Sequence, residues 1–276
     1  MNKDYILETN DNEKIRITTY GEENKESKNC IFFVHGFKGF KDWGFGPYLA
    51  DFFAENGYFV ITFNFSLDGV GENPLEFTEL EKFAANSYSR EVEEISFLVD
   101  AYENGFFGEM NSENKLYLLG HSRGGADSII AGSLLKQIDG VATWSAVGKL
   151  DRYSDRQKAE WKEKGFLEFE NSRTKQVMRL NYSFLEDIKK NEDGSLSIKR
   201  SIENLNKPLF LAHGEQDLTI PVSEAKMIYE WADKSRTELF IVENAGHTFN
   251  IKHPFEGSNE KFDNLLKQTL NFFNQN

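Results

Sequence analysis

A serine lies between glycines in the middle of the chain, directly after a short apolar run. The run covers residues 116–119, the sequence GHSRG follows at 120–124, and a helical pattern of apolar residues begins at Ala126. A strand, a tight turn and a helix in this order form a nucleophile elbow, which presents the serine hydroxyl at the carboxyl edge of a sheet. Glycines beside the serine avoid a clash between a Cβ and the neighbouring backbone. This pattern predicts that Ser122 is a catalytic nucleophile.

A general base must accept the proton of that hydroxyl, because a neutral serine is a weak nucleophile. His247 follows an apolar run at 238–242 and comes after the serine in the chain, so we predict that it is the base. His253 lies six residues further on, beside Pro254, and remains an alternative. The other histidines belong to strand-end motifs, where we expect them to brace loops through hydrogen bonds: His35, His121 and His213.

An acidic side chain must hold the imidazole in the correct tautomer and stabilise its cation. Asp217 closes a loop after the apolar strand pattern at 208–212, and this strand end is expected on the same edge of the sheet as the elbow. Asp217 is therefore the predicted acid. Glu215 and Glu243 lie close to the same strand ends and remain alternatives.

Four motifs in this order make the chain resemble the α/β-hydrolase superfamily. They are the sequence HGF at 35–37 after a buried strand pattern at 30–34, the elbow at 120–125, the acid loop at 213–217 and the sequence AGH at 245–247. The resemblance covers essentially the whole chain. Within the superfamily the chain is most similar to small feruloyl or cinnamoyl esterases and to the related serine-aminopeptidase-like branch. This resemblance implies a cofactor-independent serine hydrolase.

The resemblance also implies an oxyanion hole built from two backbone N–H groups. Arg123 follows the nucleophile and Phe37 follows the histidine–glycine pair of the first loop, so their amides are the expected donors to a tetrahedral intermediate. The guanidinium of Arg123 is a separate question. It either binds an anionic part of the substrate or forms a salt bridge on the outside of the protein.

Two groups of aromatic residues are candidates for substrate binding. Phe40 and Trp43 lie in the loop that follows the first buried strand. Tyr182 and Phe184 form an aromatic pair inside an otherwise polar segment. We expect these four side chains to contact the substrate, with ordinary packing as the alternative interpretation.

Apolar runs and amphipathic segments alternate along the chain, which predicts a doubly wound, mostly parallel α/β sheet. A hairpin over residues 5–9 and 14–20 is expected to precede it. Residues 148–202 interrupt the alternation with charged and aromatic residues and no convincing buried strand. Superfamily members often carry a cap at this point, so we expect residues 148–202 to form a mostly helical cap between two core parts, 1–147 and 203–276. A peripheral helical excursion without substrate contact is the alternative.

The composition narrows the classes of partner. The 276 residues include 45 acidic and 32 basic residues, which gives a formal net charge of −13. Such a surface repels nucleic acid and anionic membranes, so we expect neither as a partner. The expected partner is a small-molecule ester, and the expected assembly is a monomer or a homodimer. No run approaches the roughly 18 apolar residues of a membrane span, and the first residues contain no leader-like apolar segment. A cytoplasmic location is therefore expected.

No cofactor and no metal is expected from the residue types. None of the five histidines pairs with another at zinc-ligand spacing, and the chain has no Gly-rich phosphate loop. Cys30 is the only cysteine and lies in an apolar strand pattern. We therefore expect it to be buried and unreactive.

Together these residues predict hydrolysis of carboxylic esters through an acyl-enzyme on Ser122. Serine at the elbow argues against the dehalogenase and epoxide-hydrolase branches, which use aspartate there. A serine peptidase of the aminopeptidase-like branch would share the same machinery, but it would need a carboxylate to bind the free amine of its substrate. A non-catalytic ligand-binding protein on the same fold is the remaining alternative.

Overall fold

The computed structural model describes residues 2–26, 28–109, 111, 113–171 and 174–276. Within these ranges the strands fall into one large sheet and one small one. The strands are β1 (Lys3–Glu8), β2 (Lys14–Tyr20), β3 (Cys30–Val34), β4 (Phe59–Asn64), β5 (Leu116–His121), β6 (Gly140–Trp144), β7 (Phe166–Glu170), β8 (Val177–Asn181), β9 (Leu209–Gly214) and β10 (Thr237–Val242).

The large sheet has eight strands in the order β1-β2-β4-β3-β5-β6-β9-β10. β1 pairs with β2 and β2 pairs with β4 in antiparallel fashion, and every other pair is parallel. The carboxyl ends of β5, β9 and β10 therefore meet at one edge, where parallel α/β sheets bind their ligands.

Helices cover both faces of this sheet. Residues of α1 and α9 belong to one apolar core, and residues of α3, α4, α7 and α8 belong to the other. No helix within the described residues is both long enough and apolar enough to cross a membrane. The helices are α1 (Gly46–Glu55), α2 (Leu80–Ala85), α3 (Tyr88–Glu103), α4 (Arg123–Leu134), α5 (Asp155–Lys164), α6 (Tyr182–Asn191), α7 (Ile198–Asn204), α8 (Val222–Trp231) and α9 (Glu260–Gln275).

The central strand β3 shows why the sheet needs both layers. Every one of its residues is buried. Phe32 and Val34 enter one core, whereas Ile31 and Phe33 enter the other. A parallel strand covered on both faces has this continuous apolar character rather than an alternating one. Cys30, at the start of the strand, is a fully buried free thiol, and burial raises its pKa well above the ordinary value.

The predicted fold class is confirmed, and the N-terminal hairpin forms as expected between β1 and β2. The segment 148–202, which we call the insert, contains α5 and α6 and the greater part of α7. It also contains an antiparallel hairpin, formed by β7 and β8, that was not predicted from the sequence. Trp161 of α5 donates a hydrogen bond from Nε1 to the carbonyl of Leu180 in this hairpin, at 2.9 Å.

Candidate active site

Ser122 occupies a sharp turn between β5 and α4. Its backbone has φ 58° and ψ −117°, a conformation that costs about 1–3 kcal/mol for a residue with a Cβ. The neighbouring glycines are required for space. A Cβ on Gly120 would lie 2.1 Å from the carbonyl oxygen of Gly124, and a Cβ on Gly124 would lie 2.3 Å from that of Val34. The turn therefore requires glycine at both positions.

Ser122, His247 and Asp217 lie in one hydrogen-bonded row. His247 Nε2 is 3.0 Å from Ser122 Oγ, and His247 Nδ1 is 2.7 Å from Asp217 Oδ2. An ionised carboxylate accepts only, so Nδ1 carries the hydrogen and Nε2 is left to accept the proton of the serine hydroxyl. The row has the geometry that a serine nucleophile needs from its base.

Asp217 is held as an anion by its surroundings. Burial on its own would raise its pKa, but hydrogen bonds from His213 and His247 outweigh burial and hold the pKa well below its ordinary range. The backbone amides of Thr219 and Ile220 donate to its other oxygen, Oδ1, at 2.9 and 2.8 Å. The carboxylate is therefore fixed in both charge and position.

Two of the alternatives, Glu215 and His253, have other partners. Glu215 accepts a hydrogen bond from the backbone amide of Asn244 at 3.0 Å. His253 accepts one from the amide of Gly44 at 2.8 Å and stacks on Trp43 with ring centroids 5.7 Å apart. It is His247, and not His253, that reaches Ser122 Oγ.

The remaining histidines brace loops, as the sequence analysis predicted. His35 Nδ1 lies 3.0 Å from the carbonyl of Gly36, and His213 Nε2 lies 2.8 Å from that of Ile220. His121 Nε2 lies 3.0 Å from the carbonyl oxygen of His247. Burial lowers the pKa of His35 to about 4 and that of His121 to about 3, so both rings are neutral near pH 7.

The loop at 35–37 packs directly against the elbow. A Cβ on Gly36 would lie 2.8 Å from Ser122 Cβ and 3.4 Å from the backbone nitrogen of Arg123. Within the described part of the chain, neither the amide of Phe37 nor that of Arg123 donates to a backbone or side-chain acceptor. Two uncommitted amides thus lie beside Ser122, as an oxyanion hole requires.

The Arg123 side chain turns inward, so the expected alternative of an outward salt bridge is wrong. The side chain is buried. Its guanidinium carbon lies 4.2 Å from the ring centroid of Phe37, 4.9 Å from that of Tyr88 and 4.8 Å from that of Phe184. Cations are attracted to aromatic faces at this distance. The three rings hold the arginine between the elbow and the insert.

Two buried carboxyl groups lie behind Arg123. Glu91 Oε1 is 3.4 Å from Arg123 Nη1 and accepts a hydrogen bond from Asn86 Nδ2 at 2.8 Å. Burial, together with the nearby charge of Glu91, raises the pKa of Asp127 well above the ordinary value, so Asp127 holds a proton. That proton can be donated to Glu91 Oε2, which otherwise has no partner among the described residues. The carboxyl pair then carries one negative charge, which balances Arg123.

Ser122 lines a cavity of about 660 Å³. Phe40 and Trp43 line it, and so do Arg152, Tyr153 and Asn171 from the insert. These three insert residues are not among the predicted site residues. The position of Arg152 in the segment after β6, close to the carboxyl edge of the sheet, was the signal that could have identified it.

Tyr182 and Phe184 do not line the cavity, contrary to expectation. Phe184 is fully buried and packs against Trp161 and Tyr88, with ring centroids 6.1 and 5.4 Å apart. Tyr182 is half-buried against the same core. The apolar face of α6 faces the core, so these aromatic side chains join the insert to the rest of the protein.

Comparison with solved structures identifies the architecture. Est1E from Butyrivibrio proteoclasticus, in a structure with ferulic acid bound, superposes with a TM-score of 0.74 at 15% identity over 98% of both chains. An esterase of Pyrococcus furiosus gives 0.67 at 18% identity over 100% of this chain and 90% of the other. The chain has the α/β-hydrolase fold.

The same fold occurs in α/β-hydrolase domain-containing protein 10 from mouse, with a TM-score of 0.74 at 14% identity over 99% of both chains. No family model matches the chain, and no curated protein matches its sequence. At these identities the likeness establishes the fold, and the chemistry has to be argued from the residues.

Proposed function

We propose that the protein is a serine hydrolase that cleaves carboxylic esters. The observation that carries the proposal is the row from Ser122 Oγ through His247 to Asp217, with separations of 3.0 and 2.7 Å, at the wall of a 660 Å³ cavity. The row lies beside two uncommitted backbone amides. Each part of an acyl-transfer site is therefore present within one cluster.

In the first half of the reaction, Ser122 Oγ attacks the ester carbonyl carbon while His247 Nε2 accepts its proton. The carbonyl oxygen becomes an oxyanion, which the amides of Phe37 and Arg123 stabilise. Asp217 stabilises the imidazolium without taking its proton. His247 then donates that proton to the departing alkoxide, so an alcohol leaves and an acyl-enzyme remains.

The second half repeats these steps with water as the nucleophile. His247 Nε2 accepts a proton from water as the hydroxide adds to the acyl carbon, and the same two amides stabilise the oxyanion. Collapse of the intermediate breaks the bond to Ser122 Oγ, which regains its proton from His247. The free acid departs and the site returns to its starting state.

The described lining of the cavity lacks the carboxylate that an aminopeptidase-like enzyme requires. Such an enzyme needs a carboxylate for the free amine of its substrate, yet none of the described residues that line the cavity is an aspartate or a glutamate. Glu91, near the elbow, is already committed to Arg123 and Asn86. The site therefore favours an ester over an aminoacyl substrate.

The proposal is tested by labelling and by a substrate panel. We expect a fluorophosphonate to add one adduct at Ser122, located by peptide mass spectrometry, and we expect Ser122→Ala to lose both labelling and ester turnover. Ser133→Ala is the matched control, because Ser133 lies on α4, the helix that follows Ser122, and its hydroxyl donates to the carbonyl of Ile130. The panel pairs p-nitrophenyl acetate and methyl ferulate with aminoacyl p-nitroanilides. An adduct on another residue, or turnover of the anilides alone, would contradict the proposal.

A further inference from the structure

The cavity at Ser122 has an unusual charge balance. Its described lining includes four cationic side chains and no acidic one, although the whole chain has 45 acidic and 32 basic residues. The four are Lys38, Arg123, Arg152 and Lys252. A concave, partly apolar site lined by one sign of charge attracts ligands of the opposite sign.

Three of these cations have carboxylate partners that lie outside the cavity lining. Arg123 pairs with Glu91 at 3.4 Å, Arg152 with Glu224 at 2.9 Å, and Lys252 with Glu256 at 2.8 Å. None of these glutamates lines the cavity. The same arrangement occurs three times: the cation lines the cavity and its partner carboxylate does not.

Arg152 is better placed than Arg123 to bind a substrate group. Its side chain is 29% exposed, whereas that of Arg123 is 6% exposed. Its Nη1 contacts both oxygens of Glu224, and its Nη2 lies 3.4 Å from the carbonyl of Thr219, which also lines the cavity. A guanidinium has five N–H donors, more than these acceptors use. The rest can form charge-assisted hydrogen bonds with an oxyacid.

Glu224 fixes the position of this arginine. Glu224 Oε2 also accepts a hydrogen bond from the amide of Gly148 at 2.6 Å, so the first residue of the insert and Arg152 are held by one carboxylate on α8. The guanidinium is thus oriented before any ligand arrives, which reduces the entropy lost on binding.

We propose that the ester cleaved at Ser122 carries an anionic oxyacid group, a carboxylate or a phosphate, and that Arg152 binds this group. The inference rests on the proposed function and names its substrate class. Aromatic side chains supply the apolar part of the lining: Phe37, Phe40, Trp43 and Phe45. They suit a short aryl or alkyl spacer between the ester and the anion.

The test compares charged esters with neutral isosteres. In one pair the anion is in the acyl half: methyl 4-carboxybenzoate against methyl 4-carbamoylbenzoate. In the other comparison it is in the alcohol half: 4-acetoxybenzoate and 4-acetoxyphenyl phosphate against 4-acetoxybenzamide. The rigid para arrangement prevents the anion from attacking its own ester. We expect kcat/KM to be at least about tenfold higher for the anionic member of one pair, as a charge-assisted hydrogen bond predicts.

Variants then assign the preference to Arg152. Arg152→Gln is expected to reduce the ratio of anionic to neutral kcat/KM about tenfold, and Arg152→Lys is expected to restore part of it. Glu224→Gln keeps one acceptor oxygen but removes the competing negative charge, so it should raise the ratio. Arg156→Gln is the matched control, because Arg156 belongs to the same insert and its side chain is 88% exposed. The ratio should not change in this control.

The outcomes separate the two proposals. Hydrolysis of neutral esters with Ser122 labelled, but without preference for any anion, would overturn the inference and leave the esterase proposal standing. If Arg152→Gln keeps both its melting temperature and the preference for anionic esters, the inference is also overturned. No turnover of any ester and no labelling of Ser122 would overturn both.

Discussion

His121 Nε2 lies 3.0 Å from the carbonyl oxygen of His247, so the residue before Ser122 is bonded to the backbone of His247. Their rings are 4.9 Å apart. Burial lowers the pKa of His121 to about 3, so the ring is neutral and a hydrogen on Nε2 is donated to the carbonyl. This bond fixes the distance between the elbow and the histidine loop, and therefore the reach of His247 to Ser122.

Removing that bond should impair catalysis more than stability. We expect His121→Phe to lower kcat about 10- to 100-fold, because a small displacement of a catalytic group has a cost of this size. His121→Gln retains an N–H donor at a similar distance from the backbone and should keep most of the activity. The measurement is kcat and KM for p-nitrophenyl acetate together with the melting temperature. Equal activity in the two variants would contradict the positioning role.

The same histidine should make unfolding depend on pH. The folded ring stays neutral down to about pH 3, whereas the unfolded chain takes up its proton near pH 6.5. The unfolded state thus binds more protons between these values, so stability is complete above pH 6.5 and falls as pH drops. At pH 5 the loss is about 2 kcal/mol of unfolding free energy. Urea unfolding at pH 7 and pH 5 should show this extra loss in the wild type and not in His121→Gln.

Asp217→Asn tests the orienting acid. An amide at this position favours the wrong imidazole tautomer, so kcat should fall about 10⁴-fold. The fold should persist, since an Asn oxygen can still accept from the amides of Thr219 and Ile220. Glu215→Gln is the control and should remain near wild type. A near-normal rate for Asp217→Asn would transfer the role to Glu215 or Glu243.

Gly36→Ala tests the oxyanion hole without changing any donor. The new Cβ would lie 2.8 Å from Ser122 Cβ and 2.9 Å from the carbonyl oxygen of His121, so loop and elbow must separate. We expect kcat to fall about 10²-fold, the size of the loss when one donor is removed. At Gly194 a Cβ would meet Asn191 O at an ordinary 3.5 Å, so Gly194→Ala should keep full activity. If both variants have the same activity, Phe37 is not a donor.

Phe184→Ala should affect stability. The side chain is fully buried between Trp161 and Tyr88, and deleting such a phenylalanine costs about 3–5 kcal/mol. We expect a clear fall in melting temperature, equal for the free enzyme and for the enzyme labelled at Ser122. Tyr182→Ala, at a half-buried position, should cost less. An unchanged melting temperature combined with altered ester selectivity would restore a role in substrate binding.

The sequence predicted most of the fold because parallel strands buried on both faces have a strong local signal. The apolar runs at 30–34 and 116–119 correspond to Cys30–Val34 and Leu116–His121, and both strands begin at the predicted residue. The proximity of Ser122, Asp217 and His247 could be predicted for a related reason: each follows a parallel strand at the same edge of the sheet.

The insert could not be predicted as well because its structure depends on tertiary contacts. In β8, Met178 and Leu180 are buried while Val177 and Arg179 are exposed, so the alternation is present but spans only five residues and includes a charge. An aromatic residue such as Phe184 suits a pocket and a core equally well. Only the packing of α6 against α3 decides between the two.

Because Cys30 is buried, the protein is suited to dye labelling at a single introduced cysteine. It is the sole cysteine, it is fully buried in β3, and burial raises its pKa, so almost none of it is the reactive thiolate at neutral pH. Glu163 lies on the exposed side of α5. The substitution Glu163→Cys would introduce the one thiol that a maleimide dye can reach. Fluorescence from a single dye on the insert would then show whether the insert moves when an ester is added, without first removing a native cysteine.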